Sequence, residues 1–351
     1  MAAPRLFSTD LDLILRETQA LWEPMRGQQI FITGGTGFFG CWLVESFCHI
    51  NRELGLGASA TVLTRSPAKF NAKAPHLAGD PHVRLLTGDV RDFEFPDGRF
   101  SFVIHAATEA SARQASEAPM EMLSTILAGT ERTLEFAATH DTTRFLLTSS
   151  GAVYGRQPSA ITHLSESYAG APDPLDPGSV YAEGKRAAEL MCSLYQKTKG
   201  IECAIARCWA FCGPHLPLDA HFAIGNFIGD VLCRKSISIQ GDGTPRRSYL
   251  YGADLAIWLW TMLFRAPSLT PINVGSDEDV SILELAQKVA EVVNPDTAIQ
   301  VAGVPAPGSA PSRYVPSINR AKELLGLKQT VSLEESIRRT AAWYRAESVR
   351  G

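Results

Sequence analysis

The feature that most constrains the fold is a glycine-rich segment between an apolar run and a helical pattern. Residues 29–33 read as a strand, residues 34–40 have the spacing GxxGxxG, and an apolar helical pattern follows at 41–48. Glycine permits a tight turn in which the backbone approaches a pyrophosphate without a Cβ in the way. The phosphate charge then lies at a helix N-terminus, where N–H groups lack partners. The segment predicts a dinucleotide site, and the alternative is a glycine turn without a ligand.

Short apolar runs and helical patterns alternate along most of the chain. Strands are predicted at 29–33, 60–64, 83–86, 100–105, 144–149 and 201–207, and helices at 11–22, 39–51, 123–139, 180–198, 224–234, 253–263, 282–293, 320–325 and 333–345. Parallel neighbours need crossover connections, so strands separated by helices predict an α/β fold with a doubly wound parallel sheet. Thr9 or Asp10 can cap the first helix. Beyond residue 213 the elements become shorter, which indicates a smaller, mostly helical lobe over the mouth of the sheet.

The end of the second predicted strand bears on the choice of dinucleotide. A carboxylate there would bind the ribose 2′-hydroxyl of NAD, but the sequence reads Thr64-Arg65-Ser66. Arg65 can pair with a 2′-phosphate, which favours NADP over NAD. In the alternative, Arg65 stacks on the adenine and NAD is also accepted. Asp89, after the third strand, can accept a hydrogen bond from the adenine amino group.

Tyr181 and Lys185 are four residues apart at the start of a predicted helix and therefore project from one face. A phenol has a pKa near 10, and a nearby lysine charge or a nicotinamide cation stabilises its phenolate. Tyr181 can then remove a proton from a sugar hydroxyl during hydride transfer. YxxxK alone is a common spacing. Ser150 strengthens the interpretation, because ligands of open α/β sheets bind at the carboxyl ends of the strands. In the alternative, the serines at 149 and 150 only cap a turn.

The glycine loop, the segment Ser-Ser-x-x-Val-Tyr-Gly at 149–155 and YxxxK occur in this order, and the chain resembles the extended short-chain dehydrogenase/reductase family. It is similar to the nucleotide-sugar epimerase/dehydratase branch over about residues 28–345. The resemblance implies an N-terminal helical extension at 1–27, a Rossmann NAD(P)-binding domain at 28–213, and a nucleotide-sugar lobe at 214–351 that shares elements with the first domain.

The resemblance also assigns residues to the site. It implies catalysis by Ser150, Tyr181 and Lys185, and substrate binding by Ser150, Asn226 and Arg247. It places the cofactor against Gly34, Gly37, Phe38, Phe39, Gly40, Arg65, Asp89, Val90, Ala106, Tyr181 and Lys185. An arginine fork suits a diphosphate, although a surface arginine pair would leave the same pattern at 246–247.

Departures from the family pattern discriminate among reactions. Sugar 4,6-dehydratases carry Asp-Glu where this chain has Gly151-Ala152, and sugar-acid decarboxylases of similar sequence carry Glu at the second position. Elimination needs a further acid and base, so dehydratase and decarboxylase activities are less favoured. Epimerisation at C4 needs only the serine, tyrosine and lysine, and it is the predicted reaction. A 4-ketoreductase, and a catalytically silent NAD(P)-binding scaffold, are the alternatives.

Two asparagines usual in the family are replaced here. Ala210 stands after the sixth strand, and Ile126 precedes Gly129-Thr130. Both positions shape the cofactor and substrate pocket in the family. The pocket is therefore expected to be altered, with Trp209 or Phe211 contributing to the change.

Net charge and composition limit the kinds of partner and ligand that the sequence predicts. A net charge of −4 gives no electrostatic basis for nucleic-acid binding. The seven cysteines include no CxxC pair and the histidines lack metal-ligand spacing, so free thiols and no metal site are predicted. No signal peptide or apolar segment of membrane-spanning length is recognised, which predicts a cytoplasmic protein without membrane partners. Related enzymes pair through helices equivalent to 123–139 and 180–198, which implies a homodimer.

Overall fold

A computed structural model describes residues 5–108, 112–220, 222–306, 308 and 310–349. Its strands are β1 (Gln29–Thr33), β2 (Ser59–Thr64), β3 (Val83–Thr87), β4 (Phe102–His105), β5 (Arg144–Ser150), β6 (Glu202–Cys208), β7 (Phe211–Cys212), β8 (Ile237–Ile239), β9 (Arg246–Ser248), β10 (Leu250–Tyr251), β11 (Pro271–Val274), β12 (Asp279–Ser281), β13 (Ile299–Val301) and β14 (Arg313–Tyr314).

The helices lie between and after these strands. They are α1 (Ser8–Thr18), α2 (Phe38–Glu53), α3 (Pro67–Lys73), α4 (Pro75–Ala78), α5 (Ala112–Glu117), α6 (Pro119–Thr139), α7 (Val180–Lys199), α8 (Ala223–Leu232), α9 (Gly252–Arg265), α10 (Ile282–Val293), α11 (Asn319–Leu325) and α12 (Leu333–Val349). Each predicted helix is confirmed, with ends that move by up to four residues. In the part of the chain that is described, no helix is long and apolar enough to cross a membrane.

The main sheet has seven parallel strands in the order β3-β2-β1-β4-β5-β6-β11. The predicted doubly wound α/β fold is thus confirmed, and the six predicted strands have bounds within two residues of those observed. The seventh strand, β11, was not predicted. Ile30, Phe31 and Ile32 of β1 are all fully buried because helices cover both faces of the sheet.

Aromatic side chains fill both layers. On one face, α1, α2 and α9 bury four tryptophans, which are Trp22, Trp42, Trp258 and Trp260. On the other, α6 and α7 cover a group of phenylalanines, which are Phe31, Phe93, Phe100 and Phe136. Helix α9 therefore packs on the sheet although it follows the second lobe's first elements in sequence. Both α9 and β11 lie beyond residue 213 and complete the main sheet layer.

The predicted cap of the first helix is wrong. Helix α1 begins at Ser8 with Phe7 as N-cap and has no side-chain cap. Asp10 is fully buried, accepts a 2.7 Å hydrogen bond from the Tyr251 hydroxyl and pairs with Arg339. Burial raises the pKa of Asp10, and these two partners oppose that rise. Tertiary contacts therefore bind the Asp10 carboxylate, which the local sequence predicts to cap the helix.

The second lobe combines helices α8, α10 and α12 with short strands. Strands β12, β9 and β14 form a three-stranded sheet in which Arg247 of β9 is paired with Val280 and Tyr314. This sheet carries Arg247 and Tyr314 side by side at the edge of the candidate site.

Candidate active site

The glycine loop leaves room for a ligand by excluding side chains. Gly34 follows β1 with φ of +72°, and a Cβ there would overlap the Ala106 backbone. A Cβ on Gly40 would overlap the backbone of Gly34 and Gly35. Gly37 is the N-cap of α2 without a side-chain cap, so the first N–H groups of α2 face the loop. This cradle fits the diphosphate of a dinucleotide.

Lys73 contacts the glycine loop, and Phe211 contacts the start of α2. Lys73 donates a 3.0 Å hydrogen bond from Nζ to the Thr36 carbonyl, a contact that sequence reasoning missed. Phe39 packs edge-on against Phe211, with ring centroids 5.0 Å apart. Phe38 lies next to it and is half-buried. The loop and the start of α2 are therefore held by Lys73 of α3 and by Phe211 of β7.

Charged residues gather at the ends of β2 and β3. Arg65 is exposed, and Asp89 accepts hydrogen bonds of 2.8 and 3.0 Å from the Arg91 guanidinium. The hydrogen bond from Arg91 lowers the pKa of Asp89, and the charges of Arg91 and Arg65 act in the same direction. Val90 is buried against Gly129 of α6. Arg91 was not among the predicted site residues, and it neutralises the carboxylate predicted to meet the adenine.

Lys185 is held inside the protein near Tyr181. It is 2% exposed, and its Nζ donates 2.8 Å hydrogen bonds to the Thr148 carbonyl and the Thr108 hydroxyl. The Nζ lies 5.8 Å from the centroid of the Tyr181 ring. Burial lowers the pKa of Lys185 to about 8. Burial raises the pKa of Tyr181 to about 12, while the nearby Ser150 hydroxyl works in the opposite direction.

The structure thus brings together the three predicted catalytic residues at the carboxyl end of β5. Ser150 is the last residue of that strand, and Tyr181 and Lys185 lie in the first turns of α7. The Ser150 Oγ also accepts a 3.1 Å hydrogen bond from the Ala152 N–H and caps the 3-10 turn Gly151–Tyr154. The turn-capping role and the position beside Tyr181 therefore coexist.

Aromatic side chains crowd the residue after Ser150. A Cβ on Gly151 would lie 2.7 Å from ring atoms of Trp209 and 2.8 Å from the Tyr314 hydroxyl oxygen. The two aromatic rings are 4.4 Å apart between centroids. Trp209 was expected to alter the pocket, and it lies there; Tyr314 was missed. No local sequence pattern predicts Tyr314 as a site residue, because only the pairing of β14 with β9 brings it to the site.

A partly buried ion pair fixes the elements that carry the site. Ser149 donates a 2.5 Å hydrogen bond to Glu189 of α7, and Arg207 of β6 donates to both Glu189 oxygens at 3.0 and 2.7 Å. The Arg207 guanidinium also lies 4.7 Å from the centroid of the Tyr154 ring. Charge-assisted bidentate pairs are geometrically specific, so β5, β6 and α7 hold a fixed relation.

The predicted substrate residues come from the second lobe. Arg247 is half-buried, its Nη1 donates to the Arg246 carbonyl at 2.8 Å, and burial lowers its pKa. The Asn226 Oδ1 on α8 is buried and accepts no hydrogen bond from the residues that the structure describes. Arg247 is paired with Tyr314 of β14. Burial raises the pKa of Tyr314, and the Ser150 hydroxyl and the Arg247 charge oppose that rise.

Comparison with known proteins places this arrangement in a family. The model of the NAD dependent epimerase/dehydratase family matches residues 30–275. UDP-glucuronic acid decarboxylase 6 of Arabidopsis thaliana is 32% identical over 324 residues, which are 92% of this chain and 90% of that protein. UDP-glucuronic acid decarboxylase 1 of Danio rerio is 30% identical over 91% of this chain and 73% of its own.

Solved structures show the same fold. UDP-glucose 4-epimerase of Thermus thermophilus, in complex with NAD, has a TM-score of 0.73 and 25% identity over 91% of this chain and 99% of its own. UDP-N-acetylglucosamine 4-epimerase of Methanobrevibacter ruminantium M1 has a TM-score of 0.78 and 20% identity over 92% of this chain and all of its own. With a family match over most of the chain and a glycine cradle that fits its cofactor, this protein is an enzyme of the NAD-dependent epimerase/dehydratase family.

Proposed function

We propose that the enzyme inverts the C4 centre of a nucleotide diphosphate sugar. The observation that carries this proposal is the grouping of Ser150, Tyr181 and Lys185 at the carboxyl end of β5, next to a Gly151 whose surroundings are filled by Trp209. Position 151 thus has no room for the additional acid that elimination of water requires. The remaining groups suffice for removing and returning one hydride and one proton.

Each catalytic side chain has a role that follows from its environment. Tyr181 accepts the proton of the sugar hydroxyl, and Lys185 stabilises the phenolate through its charge. Ser150 hydrogen-bonds the reacting oxygen. The bound NAD(P) supplies the hydride acceptor. Because burial disfavours the ionised Tyr181 and the protonated Lys185 separately, each charge gains most when both are present.

Arg247 and Asn226 are proposed to hold the nucleotide diphosphate. Arg247 offers a guanidinium next to the catalytic group, and an arginine fork matches phosphate oxygens. The Asn226 Oδ1 is an acceptor without a partner among the described residues, which suits a ligand N–H or O–H. An Arg247→Ala variant should raise the KM for the sugar nucleotide by about tenfold or more and leave NAD(P) affinity unchanged.

The relatives support a second reaction, decarboxylation of UDP-glucuronate. Their names describe such decarboxylases, and they share about a third of their residues with this chain. Decarboxylases of similar sequence carry a glutamate where Ala152 stands, and this difference places the reaction second. A 4-ketoreductase is the third possibility within the same site.

One assay separates these reactions. The purified enzyme, supplied with NAD+ or NADP+, is incubated with UDP-glucose, UDP-galactose, UDP-N-acetylglucosamine and UDP-glucuronate, and the products are resolved by NMR. Interconversion of C4 epimers without net change in NAD(P)H supports the proposal. Release of carbon dioxide from UDP-glucuronate would contradict the proposal and show that the enzyme is a decarboxylase. Tyr181→Phe is the matched control, because it removes one oxygen and should abolish every one of these activities.

The cofactor is proposed to be NADP rather than NAD. Arg65 follows β2, no carboxylate stands there, and Asp89 is already neutralised by Arg91. A 2′-phosphate would therefore meet net positive charge. Titration of both dinucleotides should give the lower Kd for NADP+, and Arg65→Ala should weaken NADP+ by about tenfold while changing NAD+ little. Equal effects on both dinucleotides would place Arg65 on the adenine instead.

A homodimer through α6 and α7 is also proposed. Leu190 and Leu194 lie four residues apart on one face of α7 and are 60% and 51% exposed, and Met120 at the start of α6 is 75% exposed. Contact between two copies would cover these apolar side chains. Analytical ultracentrifugation should find a dimer that Leu190→Arg converts to monomer. A monomeric wild type would contradict this proposal.

A further inference from the structure

Thr108, which follows β4, provides one of the two hydrogen-bond acceptors of the catalytic lysine. The Lys185 Nζ donates 2.8 Å hydrogen bonds to the Thr108 Oγ1 and to the Thr148 carbonyl. Lys185 is 2% exposed, so its ammonium depends on protein acceptors in place of water. An ammonium has three N–H bonds. Two of them are engaged by these acceptors, which leaves one for the Tyr181 phenolate or the cofactor.

The Thr108 hydroxyl is committed to accepting. A threonine hydroxyl has one proton, and Thr108 donates it to the Ala107 carbonyl at 2.7 Å. Only lone pairs of this oxygen therefore remain for Lys185. Hydrogen bonds in which one partner is ionised are about twice as strong as neutral ones, so Thr108 stabilises the protonated lysine more than the neutral amine.

The backbone that carries Thr108 is anchored to the glycine loop. The Thr108 N–H donates to the Ala106 carbonyl at 3.1 Å, and the Ala107 N–H donates to the hydroxyl of Thr33, the last residue of β1, at 3.2 Å. A Cβ on Gly34 would lie 2.4 Å from the Ala106 carbonyl oxygen. The turn at 106–108 thus abuts the glycine loop on one side and binds Lys185 on the other.

We propose that Thr108 is a positioning residue, whose hydroxyl holds the Lys185 ammonium in its charged form and at a fixed place relative to the glycine loop. This inference rests on the role of Lys185 in the proposed function. Without the Thr108 hydroxyl, Lys185 keeps only the Thr148 carbonyl. Its charge is then less stable, and so is the Tyr181 phenolate that depends on that charge.

Other ionisable groups near Lys185 are the same in wild type and Thr108 variants. Among the described residues they come from α7, β6 and β4, and they are Tyr181, Glu189, Cys192, Cys208 and His105. Burial lowers the pKa of His105 to about 3 and raises those of Tyr181 and Cys208 to about 12. These three groups therefore do not titrate between about pH 6 and about pH 9.5.

The first measurement needs neither cofactor nor sugar. Urea unfolding of wild type and Thr108→Val is compared at about pH 6 and about pH 9.5. At the lower pH Lys185 is protonated in the folded and unfolded chains, so the lost bond acts in full, whereas above a pKa of about 8 the folded proteins have released that proton. The unfolding constant of Thr108→Val relative to wild type should be about tenfold larger at the lower pH. A ratio that does not change with pH would overturn the proposal.

Three further variants separate the hydroxyl from packing. Thr108→Ala also lacks the hydroxyl and should repeat the pH dependence of Thr108→Val, whereas Thr108→Ser keeps it and should behave with pH as the wild type does. In a Lys185→Met background, Thr108→Val should have an effect that is independent of pH. A pH dependence that survives in that background, or that Thr108→Ser shares, would overturn the proposal.

Turnover gives an independent test. Thr108→Val should lower kcat about tenfold and move the acid limb of the rate profile to higher pH, because the Tyr181 phenolate loses stabilisation. Thr108→Ser should restore most of that rate. Equal losses in both variants would overturn the proposal. Because the unfolding experiments use the cofactor-free protein, they decide this proposal even if the proposed reaction fails.

Discussion

Replacing Lys185 with methionine should stabilise the cofactor-free enzyme while abolishing its activity. Lys185 is buried as a cation in the first turns of α7, and methionine fills similar space without charge. Burial lowers the pKa of Lys185 from about 10.5 to about 8, which opposes folding while the amine is protonated. At about 1.4 kcal/mol per pH unit, this amounts to about 3 kcal/mol.

Two hydrogen bonds offset part of that gain. Lys185 donates to Thr148 and to Thr108, and each bond contributes about 1 kcal/mol. The net expectation at about pH 7 is therefore a variant about 1 kcal/mol more stable than the wild type. Activity should be lost, because Tyr181 loses the nearby charge that stabilises its phenolate.

The pH dependence gives the sharper test. Above about pH 8 the folded wild type releases the Lys185 proton, whereas the unfolded chain keeps it until about pH 10.5. The unfolded state then binds more protons, so the stability of the wild type rises with pH across this window. The advantage of Lys185→Met should shrink by about 2 kcal/mol between about pH 7 and about pH 9.5.

Urea unfolding of the cofactor-free proteins at both pH values measures this difference. Other titrating groups cancel, since wild type and variant share them. Lys197→Met, at an exposed position of the same helix, is the matched control for losing a lysine side chain. A difference between Lys185→Met and wild type that is independent of pH would refute the reasoning. So would a variant clearly less stable than the wild type at about pH 7.

Three other substitutions test the site. Gly40→Ala should abolish NAD(P) binding measured by calorimetry, because its Cβ would overlap the loop backbone. Unchanged affinity would show that the glycine loop does not bind the cofactor. Gly151→Ala should lower kcat by about tenfold or more, because its Cβ would lie 2.7 Å from Trp209. Unchanged kcat would show that the Trp209 side chain moves aside without affecting the site. Glu189→Gln should lower the free energy of unfolding by about 2 kcal/mol, since Arg207 would lose its charged, partly buried partner; a near-zero change would mean that the ion pair is dispensable.

The sheet and the glycine loop were predictable because their signals are local. Apolar strands such as β1 are buried on both faces, and their composition alone separates them from the helices between them. The cradle needs glycine at fixed spacings, and those spacings are visible in the sequence. Tyr181 and Lys185 were found because a helix places residues four apart on one face.

The remainder depends on contacts that no local pattern encodes. Strand β11 has four residues and begins with proline, so it shows neither alternation nor length. Tyr314 lies in a two-residue strand, and only its pairing with β9 brings it to the active site. Asp10 looked like a cap because local rules favour it, whereas Tyr251 and Arg339 hold it inside the core. Sequence rules fail in these places because distant partners determine the outcome.

Similarity along the whole chain and local chemistry point to different reactions in this enzyme, and the local chemistry should be decisive. Identity of 32% to UDP-glucuronic acid decarboxylase 6 is spread over 92% of the chain, most of which builds the sheet, the cofactor loop and the core. Those regions are common to every reaction of the family. The reaction is set where groups touch the sugar, and there Gly151 is closed in by Trp209 and Tyr314. A carboxylate at position 151, as in the 4,6-dehydratases, would require both aromatic side chains to move, and the glutamate of the decarboxylases is replaced by Ala152. Gaining dehydratase chemistry there would therefore take coordinated changes at Gly151, Trp209 and Tyr314, and this crowding favours the proposed reaction, which Tyr181 and a nicotinamide can complete.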